Sequence, residues 1–201
     1  MAKRGFDLVV ATCALLLLAP LLLALAAWVR LDSPGPALFR QLRVGRGGRP
    51  FAIHKFRTMV VDAAQRGPAL TVGDDARITR AGRWLRRRRL DELPQLIDVV
   101  RGHMSLVGPR PELPRYVERY PPALREALLA LRPGLTDPAA LAGLDESAQL
   151  ARAADPEREY LEVLLPRKLA QSLAYARRAT LCSDIGVLWQ TAATLLRRSR
   201  R

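Results

Sequence analysis

Acidic residues, aromatics, cysteines and histidines are all scarce in this chain, and each scarcity excludes something. Nineteen Asp and Glu stand against 33 Lys and Arg, a formal net charge of +14 on 201 residues. A surface so short of negative charge seeks anions: nucleic acid, anionic lipid or phosphorylated substrates. Aromatics make up 5%, too few for a single-strand binder built on stacked bases, so nucleic acid is set aside as a partner. The two cysteines, Cys13 and Cys182, lie far apart; they form no disulfide framework and read as free thiols of a reducing compartment. With His54 and His103 they give no zinc spacing. There is no internal repeat, no Rossmann glycine fingerprint and no Asp-x-Asp metal motif, for Asp74-Asp75 lacks the spacer.

What the chain has in quantity is apolar residues, 49%, which excludes a disordered protein and suffices for one domain with a core. Residues 8–29 contain no charge. As one helix they would be about 33 Å long, enough for a hydrocarbon core of about 30 Å, and the run is too long for a signal peptide. Pro20 interrupts it near the middle, removing a helix hydrogen bond and kinking the chain at a cost of about 3 kcal/mol. Arms of residues 8–19 and 21–29, about 18 and 14 Å long, cannot cross singly. Both flanks are basic: Lys3 and Arg4 before, Arg30, Arg40 and Arg43 after. Positive residues stay cytoplasmic, so residues 1–33 are predicted to form a re-entrant membrane helix; a kinked spanning helix is the alternative.

Residues 32–36, DSPGP, break the anchor. Residues 37–44 and 51–56 are predicted strands of a hairpin. Lys55 and Arg57 are two apart, so on a strand they face one way, which suits a phosphate or equally a charged strand edge. A short helix at residues 60–65, a loop at 67–75 and a helix at 78–88 follow. The last has Ile78, Ala81 and Leu85 on one side and arginines on the other, a face for anionic head groups or for water.

The most informative stretch is residues 90–111, LDELPQLIDVVRGHMSLVGPRP. Asp91 is placed to cap a helix over residues 92–100, with Pro94 in its first turn and Gly102 at its stop. Glu92 lies about 100° round that helix and would not face Asp91, but both would border a cation at its start. Beyond, helices are expected at 116–120, 123–131, 157–176 and 183–196, with Asp184 at the last one's cap position. A turn is expected at 132–136, a weak helix or loop at 139–155, and a basic tail at the end. The fold class is α+β, mostly helical: an N-terminal re-entrant membrane helix, a small β-hairpin and amphipathic surface helices.

Several segments taken together resemble the bacterial sugar transferases, the monotopic phosphoglycosyl transferases that start glycan assembly on a polyprenyl carrier. They are KRGFD at residues 3–7, KFRTM at 55–59, DARIT at 75–79, GRWLR at 82–86, LDELPQ at 90–95, MSLVGPRP at 104–111 and RPGLT at 132–136. The resemblance implies a membrane anchor at residues 1–33 and a catalytic domain at 34–201 on the cytoplasmic face of the bacterial inner membrane. It implies a nucleotide diphosphate sugar donor, usually a UDP-sugar, and undecaprenyl phosphate as acceptor. Asp91 aligns with the nucleophile, which expels UMP and carries the sugar phosphate covalently. Glu92 aligns with the second acid of the dyad. Mg²⁺ is the usual cofactor, assigned to Asp91 and Glu92. Lys55, Arg57 and Arg110 match basic positions and are assigned to the phosphates; Asp184 matches a family acid, with substrate contact and helix capping both open. Anionic lipid is a further partner, and a homodimer stays open.

The physical need for cations is plain. A carboxylate about 4 Å from a diphosphate charge is repelled by about 4 kcal/mol at an effective dielectric of 20. The chain departs from the family at Ala19, where a serine is usual, at Arg88 and Arg89, where small hydroxylated residues are common, and at Asp137, where a glycine is common. A non-catalytic basic membrane scaffold would share the charge and the anchor, but gives no reason for LDELPQ or VGPRP.

Overall fold

Helix α1, Ala2–Asp32, takes in the whole uncharged run, and its helical backbone continues through Pro20. The computed structural model describes residues 2–199 apart from residues 69, 72, 74 and 143–145. Both ends of α1 are bonded to the rest of the chain. At its start, Lys3 pairs with Asp184, and Arg4 donates to the carbonyls of Val99 and Val100 at 2.7 and 3.0 Å. Asp7, fully buried, accepts from Ser105 Oγ at 2.7 Å and Leu106 N at 3.2 Å. At its end, Asp32 accepts from Ala81 N at 2.8 Å, and Arg57 donates to the Val29 and Ser33 carbonyls at 3.2 and 2.8 Å. These are the orphan carbonyls of a helix terminus, which need donors. The middle is different: Leu16, Leu17 and Leu23 are 72%, 81% and 72% exposed.

The expected hairpin is present. Strands β1, Leu38–Val44, and β2, Pro50–Phe56, pair antiparallel from Leu38↔Phe56 to Val44↔Pro50. Helix α2, Ala63–Arg66, is short. Helix α3 is Arg80–Arg88, capped by Thr79, whose Oγ1 accepts from Gly82 N at 3.0 Å. Ile78, expected inside this helix, instead bridges to Met59. A Cβ on Gly82 would lie 2.0 Å from the Thr58 carbonyl oxygen, so glycine there is what lets α3 lie on the chain leaving β2.

Asp91 does not cap a helix over residues 92–100. Arg89 turns sharply in the left-handed region, φ +53°, and Leu90–Gln95 is a 3₁₀ turn that leads into α4, Leu96–Val100. Pro94 accounts for the tighter turn: in an α-helix its ring would clash with the carbonyl four residues back. Residues 132–136 are also more than a turn. Strand β3, Ser105–Val107, pairs in parallel with β4, Gly134–Thr136. A Cβ on Gly134 would sit 2.1 Å from Gly108 N, so this pairing depends on a backbone approach that no three-residue pattern announces.

Helices α5, Pro114–Val117, and α6, Pro122–Leu129, pack against α10, Leu165–Arg178. Between them in sequence come α7, Pro138–Ala142, α8, Glu146–Arg152, and α9, Pro156–Glu159. A π-helical segment, Tyr160–Leu164, joins α9 to α10, just before Pro166, whose missing N–H disturbs the ladder. Helix α11, Leu181–Ser199, starts with a reciprocal cap: Thr180 Oγ1 accepts from Ser183 N at 3.1 Å and Ser183 Oγ from Thr180 N at 2.9 Å. Asp184 is therefore not the cap residue. The core is in three parts: one around α5, α6 and α10; one joining the first half of α1 to β2, α4, β3 and α11; one joining its second half to Phe56 and α3. The architecture is mostly helical α+β.

Candidate active site

Four short segments meet at Glu92. The 3₁₀ turn supplies Asp91 and Glu92, the end of β2 supplies Lys55, the last turn of α3 supplies Arg86, and the turn after β3 supplies Arg110. Lys55 Nζ lies 3.0 Å from Glu92 Oε1. Arg110 grips the same carboxylate with two nitrogens, Nη2 on Oε1 and Nη1 on Oε2, the latter at 3.2 Å. Such a planar fork is the strong form of an arginine–carboxylate pair. Arg110 is aimed by its backbone as well: it lies between Pro109 and Pro111, and its N–H donates to Asp137 Oδ2 at 3.3 Å. Asp91 is half-buried, and among the described residues its carboxylate has no hydrogen-bond or ion-pair partner. Arg86 sits near enough to act on it by charge, while its Nε donates to Thr58 Oγ1 at 2.9 Å.

The two carboxylates are therefore unlike. Burial pushes the Asp91 carboxyl up, the Glu92 charge pushes it further, and Lys55, Arg86 and Arg110 pull it back only in part. Burial would also raise Glu92, but Arg110 and Lys55 outweigh it and hold that carboxyl well below the usual range. Burial lowers the Lys55 ammonium and the Arg86 guanidinium, whereas Glu92 raises Arg110. Lys55, Arg86, Arg89 and Arg110 around two carboxylates leave an excess of positive charge beside an unpaired carboxylate. Such a surplus suits an anionic ligand and leaves the Asp91 carboxylate chemically available.

Lys55, Glu92 and Arg110 thus come together with Asp91 as the sequence led one to expect. Arg57 does not join them. All five of its N–H directions are used, on Pro36 O at 2.7 Å, Ser33 Oγ at 2.5 Å, Met59 O at 3.5 Å, Val29 O and Ser33 O, so it ties the end of the anchor helix to β2. Asp184, nearly fully buried, is held by Lys3 and by Tyr175 Oη at 2.7 Å, at the other end of α1. Arg86 is one of many arginines on α3 and sequence reasoning does not single it out; its place one turn after Gly82, on the side of α3 that packs against Thr58, sets it apart. Asp137 was noticed only as a departure. It is a buried hub that accepts from Arg110 N, Ser172 Oγ at 2.7 Å and Ala139 N at 3.0 Å, and Asp-Pro opening a helix is a legible cap signal.

Among the described residues no three His, Cys, Asp or Glu side chains gather as a metal site. A divalent cation such as Mg²⁺ takes one or two carboxylates and completes its shell with substrate phosphates and water. Asp91 fits that requirement. Glu92 fits it less well, because Lys55 and Arg110 take three of the four lone-pair positions of its carboxylate.

A carboxylate pair set among cations shares one folded unit with a long apolar helix that exposes leucines, features that suit an enzyme working beside a membrane. The chain belongs to the bacterial sugar transferase family, which matches residues 1–198. It is 41% identical to a UDP-glucose:undecaprenyl-phosphate glucose-1-phosphate transferase of Caulobacter vibrioides, over 96% of this chain and 69% of that protein. It is 37% identical to the exopolysaccharide production protein PSS of Rhizobium leguminosarum, over 98% and 96%. It is 35% identical to a UDP-N-acetylgalactosamine-undecaprenyl-phosphate N-acetylgalactosaminephosphotransferase of Aeromonas hydrophila, over 96% of this chain but 43% of that one, so the chain spans less than half of that relative.

Proposed function

We propose that this chain transfers a sugar phosphate from a UDP-sugar to undecaprenyl phosphate and releases UMP, through a covalent phosphosugar on Asp91. It would act in the first membrane step of exopolysaccharide, O-antigen, capsule or glycoprotein glycan assembly. The observation that carries this reading is the contrast between the Asp91 carboxylate, unpaired among the described residues, and the Glu92 carboxylate, held by Lys55 and Arg110. In the first half-reaction an Asp91 oxygen bonds to the sugar-linked phosphorus and the bond to the UMP oxygen breaks, that oxygen keeping the electron pair. In the second, an oxygen of the carrier phosphate bonds to the same phosphorus and the Asp91 carboxylate is released. Neither step needs a proton, so Asp91 must be ionised beforehand. Glu92 does not compete as nucleophile; it fixes Lys55 and Arg110, which with Arg86 offset the repulsion between carboxylate and diphosphate. Mg²⁺, when bound, would add Lewis-acid neutralisation of the diphosphate, with Asp91 the protein oxygen free to hold it.

The anchor supports an acceptor at the membrane surface. α1 is, among the described residues, the one helix long and apolar enough to cross a membrane, yet Lys3, Arg4 and Asp7 at one end and Asp32 at the other bond to the same folded unit. On this reading its ends lie on one side, the cytoplasmic face of the inner membrane, and its bare middle dips into one leaflet. Leu181, Ile185 and Trp189, exposed at a spacing of four along α11, and the surplus of arginine suit anionic lipid. The test is purified protein with Mg²⁺, undecaprenyl phosphate and a panel of UDP-sugars, scored for UMP. One donor is expected to give turnover and a phosphosugar adduct on the protein, and Asp91→Asn to lose both; an Asp91→Asn variant with full activity would refute the reading.

A further inference from the structure

Next to the charged centre lies a second acid–base pair, both of its members buried. Asp98 on α4 is 0% exposed and His54 on β2 is 4% exposed. Asp98 Oδ2 accepts from the backbone N–H of His54 at 2.9 Å, and Oδ1 lies 2.7 Å from His54 Nδ1. The ring proton therefore sits on Nδ1, facing the carboxylate, and Nε2 is left to accept from Arg101 Nη1 at 3.5 Å. The backbone carbonyl of Asp98 accepts from His103 N and Met104 N at 3.0 and 3.1 Å, so the residue is bonded at both its ends.

The location is what matters. Among the described residues β2 has β1 alone as a ladder partner, so one edge of β2 offers N–H groups that no described strand satisfies, and Asp98 meets one of them. His54 is followed by Lys55, and Asp98 stands six residues after Glu92. The edge of β2 and the segment from Glu92 to Asp98 are thus joined by two rungs, Lys55–Glu92 and His54–Asp98. The first rung has a long, flexible lysine. The second has a ring, a short acid and a backbone amide, with little freedom to slide.

We infer that the His54–Asp98 pair is a positioning clamp for the site: it sets the strand edge against the 3₁₀ turn, so that Lys55 meets Glu92 and leaves Asp91 unpaired. This deepens the phosphoglycosyl-transfer reading and rests on it for its kinetic consequence, though the clamp itself can be read without turnover. Asp98 is a positioning residue and touches no substrate.

The chain has three lysines, Lys3, Lys55 and Lys168, which gives a direct assay. The full-length protein in detergent is pulsed with formaldehyde and borohydride, and methylation of each lysine is measured by mass spectrometry. In Asp98→Ala, Lys55 is expected to methylate at least fivefold faster than in the wild type, with Lys3 and Lys168 as internal references. Asp98→Asn keeps an oxygen for the His54 N–H and should restore slow labelling. With a UDP-sugar that the wild type turns over, Asp98→Ala should lower kcat at least tenfold per folded molecule and Asp98→Asn much less. A role confined to stability would lower the melting temperature but leave labelling and kcat unchanged. If Asp98→Ala does not fold, His54→Ala, which retains the backbone bond, should show a smaller rise in Lys55 labelling. Lys55 labelling at the wild-type rate in whichever of the two folds would overturn the proposal. Wild-type protein inactive on every UDP-sugar, with the Lys55 response intact, would sink the functional reading and leave the clamp standing.

Discussion

The middle of α1 and the surroundings of Glu92 break the ordinary rule of burial in opposite directions. Around Leu16, Leu17 and Leu23 large apolar side chains stand 72–81% exposed. At Glu92, Lys55 and Arg110, charged side chains have largely left water. In a water-soluble protein either departure is the informative one. The first suits a surrounding medium other than water along that stretch. The second means that the charges are kept for something other than stability, since a buried ion pair gains little over apolar packing. Among the described residues one region lacks a protein partner and the other has more cations than acids, and on the proposed function a lipid-linked phosphate at the membrane surface would answer both.

The hardest test of that comparison is to remove the common counter-ion. Glu92→Ala leaves Lys55 and Arg110 buried together without their acid, and breaking a buried pair from one side costs about 3–5 kcal/mol. A stability loss of that size is expected from chemical unfolding in detergent, together with loss of UMP release. A loss under about 1 kcal/mol would mean that the cluster is solvated and that the contrast with the anchor is false.

The same comparison can be pressed from the other side. A lysine at a water-exposed helix position changes stability by about 0.5 kcal/mol or less, whereas at the centre of a membrane helix it costs about 2.5–3.5 kcal/mol. Leu17→Lys should therefore release a large fraction of the protein from membranes washed at high pH, while leaving donor turnover in detergent intact. Retention equal to the wild type would place that leucine in water.

Much of this was legible in the residues. Two β-prone runs around a glycine-rich turn gave the hairpin, and the length of an uncharged stretch gave α1. Lys55, Glu92 and Arg110 stand in segments that resemble the family's motifs, and the fold brings their side chains together. The failures have physical causes. Arg57 was assigned by extending the alternation of a strand past its end, but β2 stops at Phe56 and the side chain turns to α1. The β3–β4 pair is three residues on each side, too short for a period, and is specified by glycine contact at a distance in sequence. Asp98 lies in the run LIDVV, where an isolated acid reads as the solvent side of a helix; only the fold brings His54 to it.

Acid should separate the two carboxylates. The folded-state pKa of Asp91 is raised, so its reactive form is lost as pH falls through a value above the ordinary one of about 3.9. The folded-state pKa of Glu92 is depressed, so its contribution to stability is complete above its unfolded value of about 4.3 and disappears only as pH falls below that. Turnover should thus decline on the acid side before the fold does. Arg86→Gln removes a cation that holds Asp91 ionised and should move the acid limb of kcat upward. A limb that moves down, or an unfolding transition that precedes the loss of activity, would contradict the assignment of roles.

The smallest effect expected is at Arg57, and it bears on how the two regions are joined. Its guanidinium closes the end of α1 and reaches Met59 just past β2, so it links the membrane helix to the strand that carries Lys55. Lysine has three donors and no planar fork, so Arg57→Lys leaves at least two acceptors without an N–H, at a cost of about 1–2 kcal/mol. If the residue serves the helix end, the melting temperature falls while the donor KM stays at the wild-type value. If it reaches the diphosphate instead, KM rises and the melting temperature hardly moves. The split between those two measurements decides whether the anchor and the charged centre are joined by a structural tie or share a substrate contact.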